Sequence, residues 1–374
     1  MDVLMTADTV GGVFVYALEL AAALGRNGAQ VALAAKGRVL SADQWDQARR
    51  VPGLEVFESQ DKLEWMEDPW DDVARSSTWL LELEQRLSPD VVHLNDYAHG
   101  ALPFAAPRLV VGHSCVLSWF EAVRRAPPPA SFDRYRAEVA RGLAGADLVV
   151  APTRFMLQQL ERHYGALPRT RVIPNGRSAA RFCPVEKEPF ILCAGRLWDE
   201  AKNARLLDAI AGRLRWPVLF AGEEAHPDPA RSGAARPRHA RPLGRLPPES
   251  LACFFRRASI YALPALYEPF AISILEAGLA GCVLVLGDTP SLREVWEGAA
   301  LFVPDSPALL RKILSGLIER PEMRAQLGAL ARERALTYTP ERMAEQYAAA
   351  YRDIVAVRSH PARIERASAQ GGDS

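Results

Sequence analysis

The sequence predicts an α/β protein in two halves, each a parallel sheet flanked by helices. Three observations carry this reading. The chain has 374 residues, more than one ordinary α/β core holds and enough for two, since domains run roughly 100–200 residues each. Short β-branched runs alternate with amphipathic stretches along its whole length, the rhythm of βα units around a parallel sheet. That rhythm restarts after a turn tripeptide near the middle, Pro174-Asn175-Gly176, whose residue types break regular structure.

Strands are expected at residues 3–5, 31–35, 55–57, 91–94, 109–112, 148–151 and 172–173 in the first half. They recur at 190–194, 218–221, 260–263, 283–286 and 301–303. Between the first two, Val13, Tyr16, Ala17, Leu20 and Leu24 fall on one face of a helix that closes near Gly28. A first domain over residues 1–176 and a second over 177–339 follow, the polar stretch 177–189 leading into the fresh strand pattern. Residues 340–357 read as a helix with Met343, Tyr347, Tyr351 and Ile354 on one face. The tail 358–374 has nothing with which to build a core and is expected to fray. Residues 225–242 hold four prolines, four arginines and two histidines, and read as a surface loop inside the second domain.

Composition narrows the function. Apolar residues at 49% and charged residues at 24% fit a globular protein and exclude a disordered or fibrous one. Forty-five basic residues balance forty-five acidic ones, so no global charge favours nucleic acid, and any anion site must be local. Five scattered cysteines show neither zinc spacing nor a disulfide framework. The N-terminus carries acid where a signal peptide needs base, and no run of about 18 apolar residues occurs. A cytoplasmic address is expected, with peripheral membrane contact left open.

Two constellations carry chemistry. The first is Ala194-Gly195-Arg196-Leu197 at the end of the second half's first strand, with Lys202 and Asn203 close behind. Ligands of open α/β sheets sit at the carboxyl ends of strands. A guanidinium fork beside a mobile ammonium there suits a diphosphate, although rim salt bridges are the competing reading. The second runs from Tyr267 to Glu276, with Glu268 and Glu276 separated by seven residues just after a strand. Pro269 places a helix start close behind Glu268, and the backbone N–H groups of Ala271 to Ser273 then face an anion at a helix N-terminus. Glu276 follows about two turns on, where apolar neighbours argue against an idle solvent-facing glutamate.

With these residues the chain resembles a family-4 retaining glycosyltransferase of the two-domain architecture called GT-B. The resemblance runs from about Asp2 to Val355. It rests on the Gly11-Gly12 loop, the segment AGRLWDEAKN, the Glu268/Glu276 pair and the run EAGLAGCVLVLGDTPSLREV, in that order. It implies two Rossmann-like domains whose sheets face a central cleft, with the C-terminal helix crossing back to the first domain. The donor would be a nucleoside diphosphate sugar, UDP- or GDP-linked, and the acceptor a glycan, lipid or small molecule. Arg196 and Lys202 would hold the diphosphate, Glu276 the ribose hydroxyls and Glu268 the donor-sugar hydroxyls, with Phe270, Ala271 and Ile272 in the same loop. His113, after a first-half strand, would hydrogen-bond a sugar hydroxyl; a satisfied buried imidazole is its alternative. Gly11 and Gly12 would let backbone approach phosphate or acceptor closely, without the spacing of a dinucleotide site.

Acceptor-side candidates are Asn95, Asp96, Tyr97, Trp119 and Phe120, although aromatic residues like the last two are more often simple core. One departure stands out: the family usually has glycine where this chain has Ala271. No D-x-D motif occurs, so no metal is expected. The expected reaction is a same-face substitution in which the departing diphosphate takes the acceptor proton. A disaccharide phosphorylase or synthase, and a catalytically silent sugar-nucleotide-binding subunit, are the alternatives.

Overall fold

The structure, a computed structural model, describes residues 1–223 and 237–359. Seven parallel strands form the first sheet: β1 (Asp2–Asp8), β2 (Gln30–Lys36), β3 (Glu55–Glu58), β4 (Val91–Leu94), β5 (Arg108–Val111), β6 (Leu148–Ala151) and β7 (Thr170–Val172). Their order is β3-β2-β1-β4-β5-β6-β7. The second sheet holds β8 (Glu188–Ala194), β9 (Val218–Ala221), β10 (Arg241–Gly244), β11 (Ala258–Leu263), β12 (Val283–Gly287) and β13 (Leu301–Val303). It is ordered β10-β9-β8-β11-β12-β13, again all parallel. Strands buried on both faces read as continuous apolar runs; Val91 to Leu94 and Ala258 to Leu263 are buried at every position.

Each sheet reverses its strand order once, at β1/β4 and at β8/β11. Such switch points open a crevice beyond the carboxyl ends of the strands. Both crevices face one cleft, so loops after β1, β4, β5, β8 and β11 supply its walls. Sequence position alone therefore sends Asp8–Gly12, Asn95–Tyr97, His113, Gly195–Lys202 and Glu268 to one place.

The last helix, Pro340–Ser359, returns to the first sheet. Its Met343, Tyr347, Tyr351 and Ile354 are buried in one apolar cluster with Tyr16, Ala17 and Leu20 of the helix Gly12–Arg26. Each such side chain contributes roughly 1.5–3 kcal/mol by burial. Tyr351 Oη also lies 2.6 Å from His93 Nδ1. The helix runs two residues past the expected 357, because Arg358 anchors its final turn on the carbonyls of Ala106 (2.8 Å) and Phe104 (2.9 Å). Residues 360–374, the rest of the expected tail, lie outside the described residues.

Two further expectations are corrected. Arg241 and Pro242 are not loop but belong to β10, paired with Leu219 and Phe220 of β9. A proline is tolerated there because β10 is an edge strand, where a missing N–H costs no ladder bond. Most of the expected loop, residues 224–236, lies outside the described residues. The strand expected at 172–173 is β7, shifted to Thr170–Val172, and also an edge.

The chain crosses between the sheets twice, at Asn175–Arg177 and at Tyr338–Pro340, and the crossings touch. Arg177 N donates to Tyr338 O at 3.1 Å. A Cβ built on Gly176 would lie 2.3 Å from Thr339 O and 2.7 Å from Pro340 N. Backbone cannot move aside as a side chain can, so Gly176→Ala is expected to destabilise by about 1–3 kcal/mol. An unchanged calorimetric melting midpoint would contradict that close approach.

Candidate active site between the sheets

The cleft measures about 2080 Å³, well beyond the roughly 300–1,000 Å³ of a one-ligand pocket. There is room for two substrates. On the second-sheet wall, Gly195 and Arg196 leave the end of β8, and a short helix, Glu200–Lys202, follows. Asp199 caps that helix, accepting from Ala201 N at 3.0 Å, and binds Arg196 Nη2 through its other oxygen at 3.0 Å. Burial alone would raise the Asp199 carboxyl, but Arg196, Lys202 and the Trp119 indole bring it below its usual range. Arg196 remains 35% exposed and so presents its guanidinium to the cleft. Lys202 is more enclosed, its ammonium paired with Glu268 Oε2.

Glu268 sits buried in the loop after β11, and Ser291 Oγ fixes that loop by donating to the Glu268 carbonyl at 2.6 Å. Phe270 is buried beneath it and Ile272 begins the helix Ile272–Leu279. The first N–H groups of a helix have no intrahelical acceptor, so this terminus aims donors and a positive dipole end into the cleft. Glu276, on the helix body, is buried but lines the cleft. Arg177 holds it, with Nε and Nη2 at 2.9 and 2.8 Å from Oε1, while Nη1 binds Glu19 of the helix Gly12–Arg26. Burial raises the Glu276 carboxyl and the Arg177 charge opposes that rise. Among the described residues no donor reaches Oε2.

On the first-sheet wall His113 is half-buried, its Nε2 2.8 Å from Asn95 Oδ1 and its ring 4.6 Å from that of Tyr16. Asn95 Nδ2 donates to Thr6 O at 2.6 Å, which turns Oδ1 toward the imidazole and places the proton on Nε2. Burial pushes the His113 pKa down to about 3, so the ring is neutral at physiological pH. Gly11 and Gly12 cross toward the other wall: a Cβ on each would meet Arg196 Nη1 at 3.7 Å and Ile272 Cδ1 at 3.6 Å.

The acceptor-side candidates divide. Trp119 and Phe120 are half-buried and line the cleft, against the core reading. The Trp119 indole also reaches the opposite wall, donating to Asp199 Oδ1 at 3.0 Å. Asp96 is tied to Lys36 at 3.0 Å and His99 at 2.6 Å, and these hold its carboxyl well below the usual range although burial works the other way. Tyr97 lines the cleft but is buried, and its hydroxyl donates to the Ser114 carbonyl at 2.6 Å.

Sequence reading missed Asp8, Lys36, Asp199 and Arg177. Asp199 lay in plain view between Arg196 and Lys202. Arg177 gave no signal, because its partners Glu276 and Glu19 are 99 and 158 residues away.

Two family models match end to end: one described as Glycosyltransferase Family 4 over residues 10–181 and one as Glycosyl transferases group 1 over 179–334. The chain belongs to glycosyltransferase family 4. A D-inositol 3-phosphate glycosyltransferase of Geodermatophilus obscurus is 27% identical, the match covering 92% of this chain and 85% of that one. The corresponding protein of Saccharomonospora viridis is 28% identical, with 92% and 90% covered. Among solved structures, a sucrose-phosphate synthase from Thermosynechococcus elongatus superposes with a TM-score of 0.81 at 20% identity, over 96% of this chain and all of that one. Anabaena HepE in complex with UDP-glucose gives 0.73 at 16%, over 94% of this chain and 100% of its own. These likenesses establish the GT-B fold. As a family-4 glycosyltransferase the chain uses a nucleotide-sugar donor, and no helix among its described residues is long and apolar enough to cross a membrane.

Within this family-4 site, Ala271 stands where the resemblance expects glycine, and its backbone shows why glycine fits. It has φ 60° and ψ 100°, just ahead of the helix Ile272–Leu279. Positive φ costs an L-residue with a Cβ roughly 1–2 kcal/mol. Ala271→Gly is therefore expected to relax the turn and gain up to about 1 kcal/mol, offset in part by glycine's greater unfolded-state freedom. A lower melting midpoint in the variant would mean that the strain is not real.

Proposed function

We propose that this chain moves a hexose from a UDP- or GDP-linked donor to a hydroxyl acceptor with retention of anomeric configuration. Residues 1–176 form the acceptor side, 177–339 the donor side, and 340–357 the return to the first side. The observation that carries the proposal is the meeting of Arg196, Lys202 and the N-terminus of the helix Ile272–Leu279 at one pole of the cleft, with Glu268 and Glu276 beside them. Fixed cations and a dipole end stabilise the charge that develops on a departing diphosphate. Glu276 Oε2 accepts from the ribose hydroxyls and Glu268 from the sugar. His113, neutral and with Nδ1 as acceptor, serves a sugar hydroxyl from the other wall.

Glu268 is engaged by Lys202 and Glu276 by Arg177, so neither is placed as a free nucleophile for double displacement. A same-face substitution fits better: the acceptor oxygen bonds to the anomeric carbon as the diphosphate leaves, and the leaving oxygen takes the acceptor proton. Product analysis by NMR with UDP- and GDP-hexoses tests this. An inverted anomer overturns it. The relatives named for D-inositol 3-phosphate make a phosphorylated polyol one acceptor to try.

Charge that a metal would otherwise supply comes here from Arg196 and Lys202. Transfer is accordingly expected to persist at an unchanged rate in excess EDTA. Loss on chelation, restored by magnesium or manganese, would contradict the assignment of the diphosphate to these side chains.

A further inference from the structure

Among the described residues, the first-sheet wall of the cleft leaves no uncommitted cation for an acidic acceptor. Two lysine or arginine side chains of that wall line the cleft among the described residues, Lys36 and Arg124. Lys36 is buried and committed to Asp96 and His99, at 3.0 and 3.1 Å. Arg124 reaches over to Glu200 at 2.7 Å. Burial keeps His113 neutral.

Carboxylates on the same wall are less matched. Asp8 ends β1, half-buried, with Oδ1 accepting from Val10 N at 2.5 Å. Among the described residues no lysine or arginine pairs with it. Burial raises its carboxyl, opposed by the Val10 N–H, by Arg196 from across the cleft, by Lys36 at longer range and by the Trp65 indole. The Arg196 guanidinium is the one assigned to the donor diphosphate, and Lys36 is already held by Asp96 and His99. Asp43 adds an exposed, equally unpaired carboxylate at the rim. On the same wall, Trp65, Trp119, Phe120 and Phe132 stand half-buried in the cleft, and flat apolar faces of this kind suit the C–H faces of a ring polyol.

We infer that the acceptor moiety entering this wall is an uncharged polyol, one hydroxyl of which donates to Asp8, and that phosphorylated or carboxylated acceptors are excluded. The inference rests on the transferase reading and adds the substrate class of its second site. A polyol hydroxyl offers Asp8 a donor and keeps its apolar face on the aromatic rings. A phosphate there would lose water beside Asp8 and Asp43 and gain no counter-ion, so discrimination comes from the unpaired charge as much as from the fit.

The test uses the full chain with a donor that it hydrolyses, and matched acceptor pairs: myo-inositol against inositol 3-phosphate, glucose against glucose 6-phosphate and against glucuronate. The neutral member of a pair is expected to give kcat/KM at least tenfold above its charged partner. Asp8→Asn, checked for a cooperative melt and for nucleotide binding by calorimetry, is expected to lower kcat/KM for the neutral acceptor and to shrink the neutral-to-charged ratio at least tenfold. Equal or better use of a charged member overturns the inference. So does an unchanged ratio in Asp8→Asn, or donor hydrolysis with transfer to no neutral polyol. A chain that neither binds nucleotide nor hydrolyses any donor refutes the transferase reading instead, because nucleotide is held by the opposite wall.

Discussion

Lys202→Ala is expected to lower kcat by about 10²–10³-fold, the usual loss when one preorganised donor to a developing negative charge is removed. Two effects act together. The variant removes the ammonium that meets the diphosphate, and it leaves Glu268 with no partner for its charge. Glu268 is 6% exposed, so an unpaired carboxylate there is costly. Arg196→Ala is expected to do less, since Arg196 is 35% exposed and Lys202 stays in place. Nucleoside diphosphate affinity, measured by calorimetry, should weaken at least tenfold in Lys202→Ala. A ligand at 100 times its dissociation constant adds about 2.7 kcal/mol to stability, so thermal shift reports the same loss independently. Unaltered affinity in both variants would remove the diphosphate assignment. In the double variant Lys202→Met/Glu268→Gln the two losses should fall short of additive, because the residues act as a pair.

What the sequence disclosed follows from how local each signal is. Residues 91–94, 148–151, 218–221 and 301–303 are strands with the expected bounds, since a short apolar run between breakers leaves little choice of ends. Glu268 and Glu276 were legible because a loop position and a helix position with seven residues between them are fixed by one short local segment. Two of the four edge strands were not, although the edge strand 301–303 was: β10 contains Arg241 and Pro242, and β7 begins on Thr170, where no apolar run marks a strand. Contacts between distant segments were not legible either. Trp119 read more readily as core, and only the meeting of the two sheets brings its indole to Asp199. The strain at Ala271 could be suspected from the missing glycine, but its φ of 60° is a fact of the folded turn.

Arg177 is the clearest case of function hidden in the fold, and its removal should be felt in stability as well as in nucleotide binding. The guanidinium is 8% exposed and bridges Glu19 of the first-sheet side to Glu276 of the second. Arg177→Ala leaves two enclosed carboxylates facing each other, and breaking a buried pair in this way costs about 3–5 kcal/mol. The pH dependence has a defined sign. The folded pKa of Glu276 already lies above its usual value, by burial, with Arg177 resisting the shift. A carboxyl raised in the folded state contributes stability below its unfolded pKa, and that contribution is lost as pH rises through the folded pKa. Without Arg177 the folded pKa climbs further, so the ionised form costs more. The gap between Arg177→Ala and the parent, read from urea midpoints, should therefore be widest at pH 8 and narrow toward pH 5. Adding Glu276→Gln to Arg177→Ala should close most of the gap at pH 8, because a neutral amide needs no counter-ion. A gap that stays constant from pH 5 to pH 8, or that Glu276→Gln leaves untouched, would show that Arg177 holds the fold through packing on Phe182, over whose ring it lies at 5.4 Å, and not through the charge on Glu276.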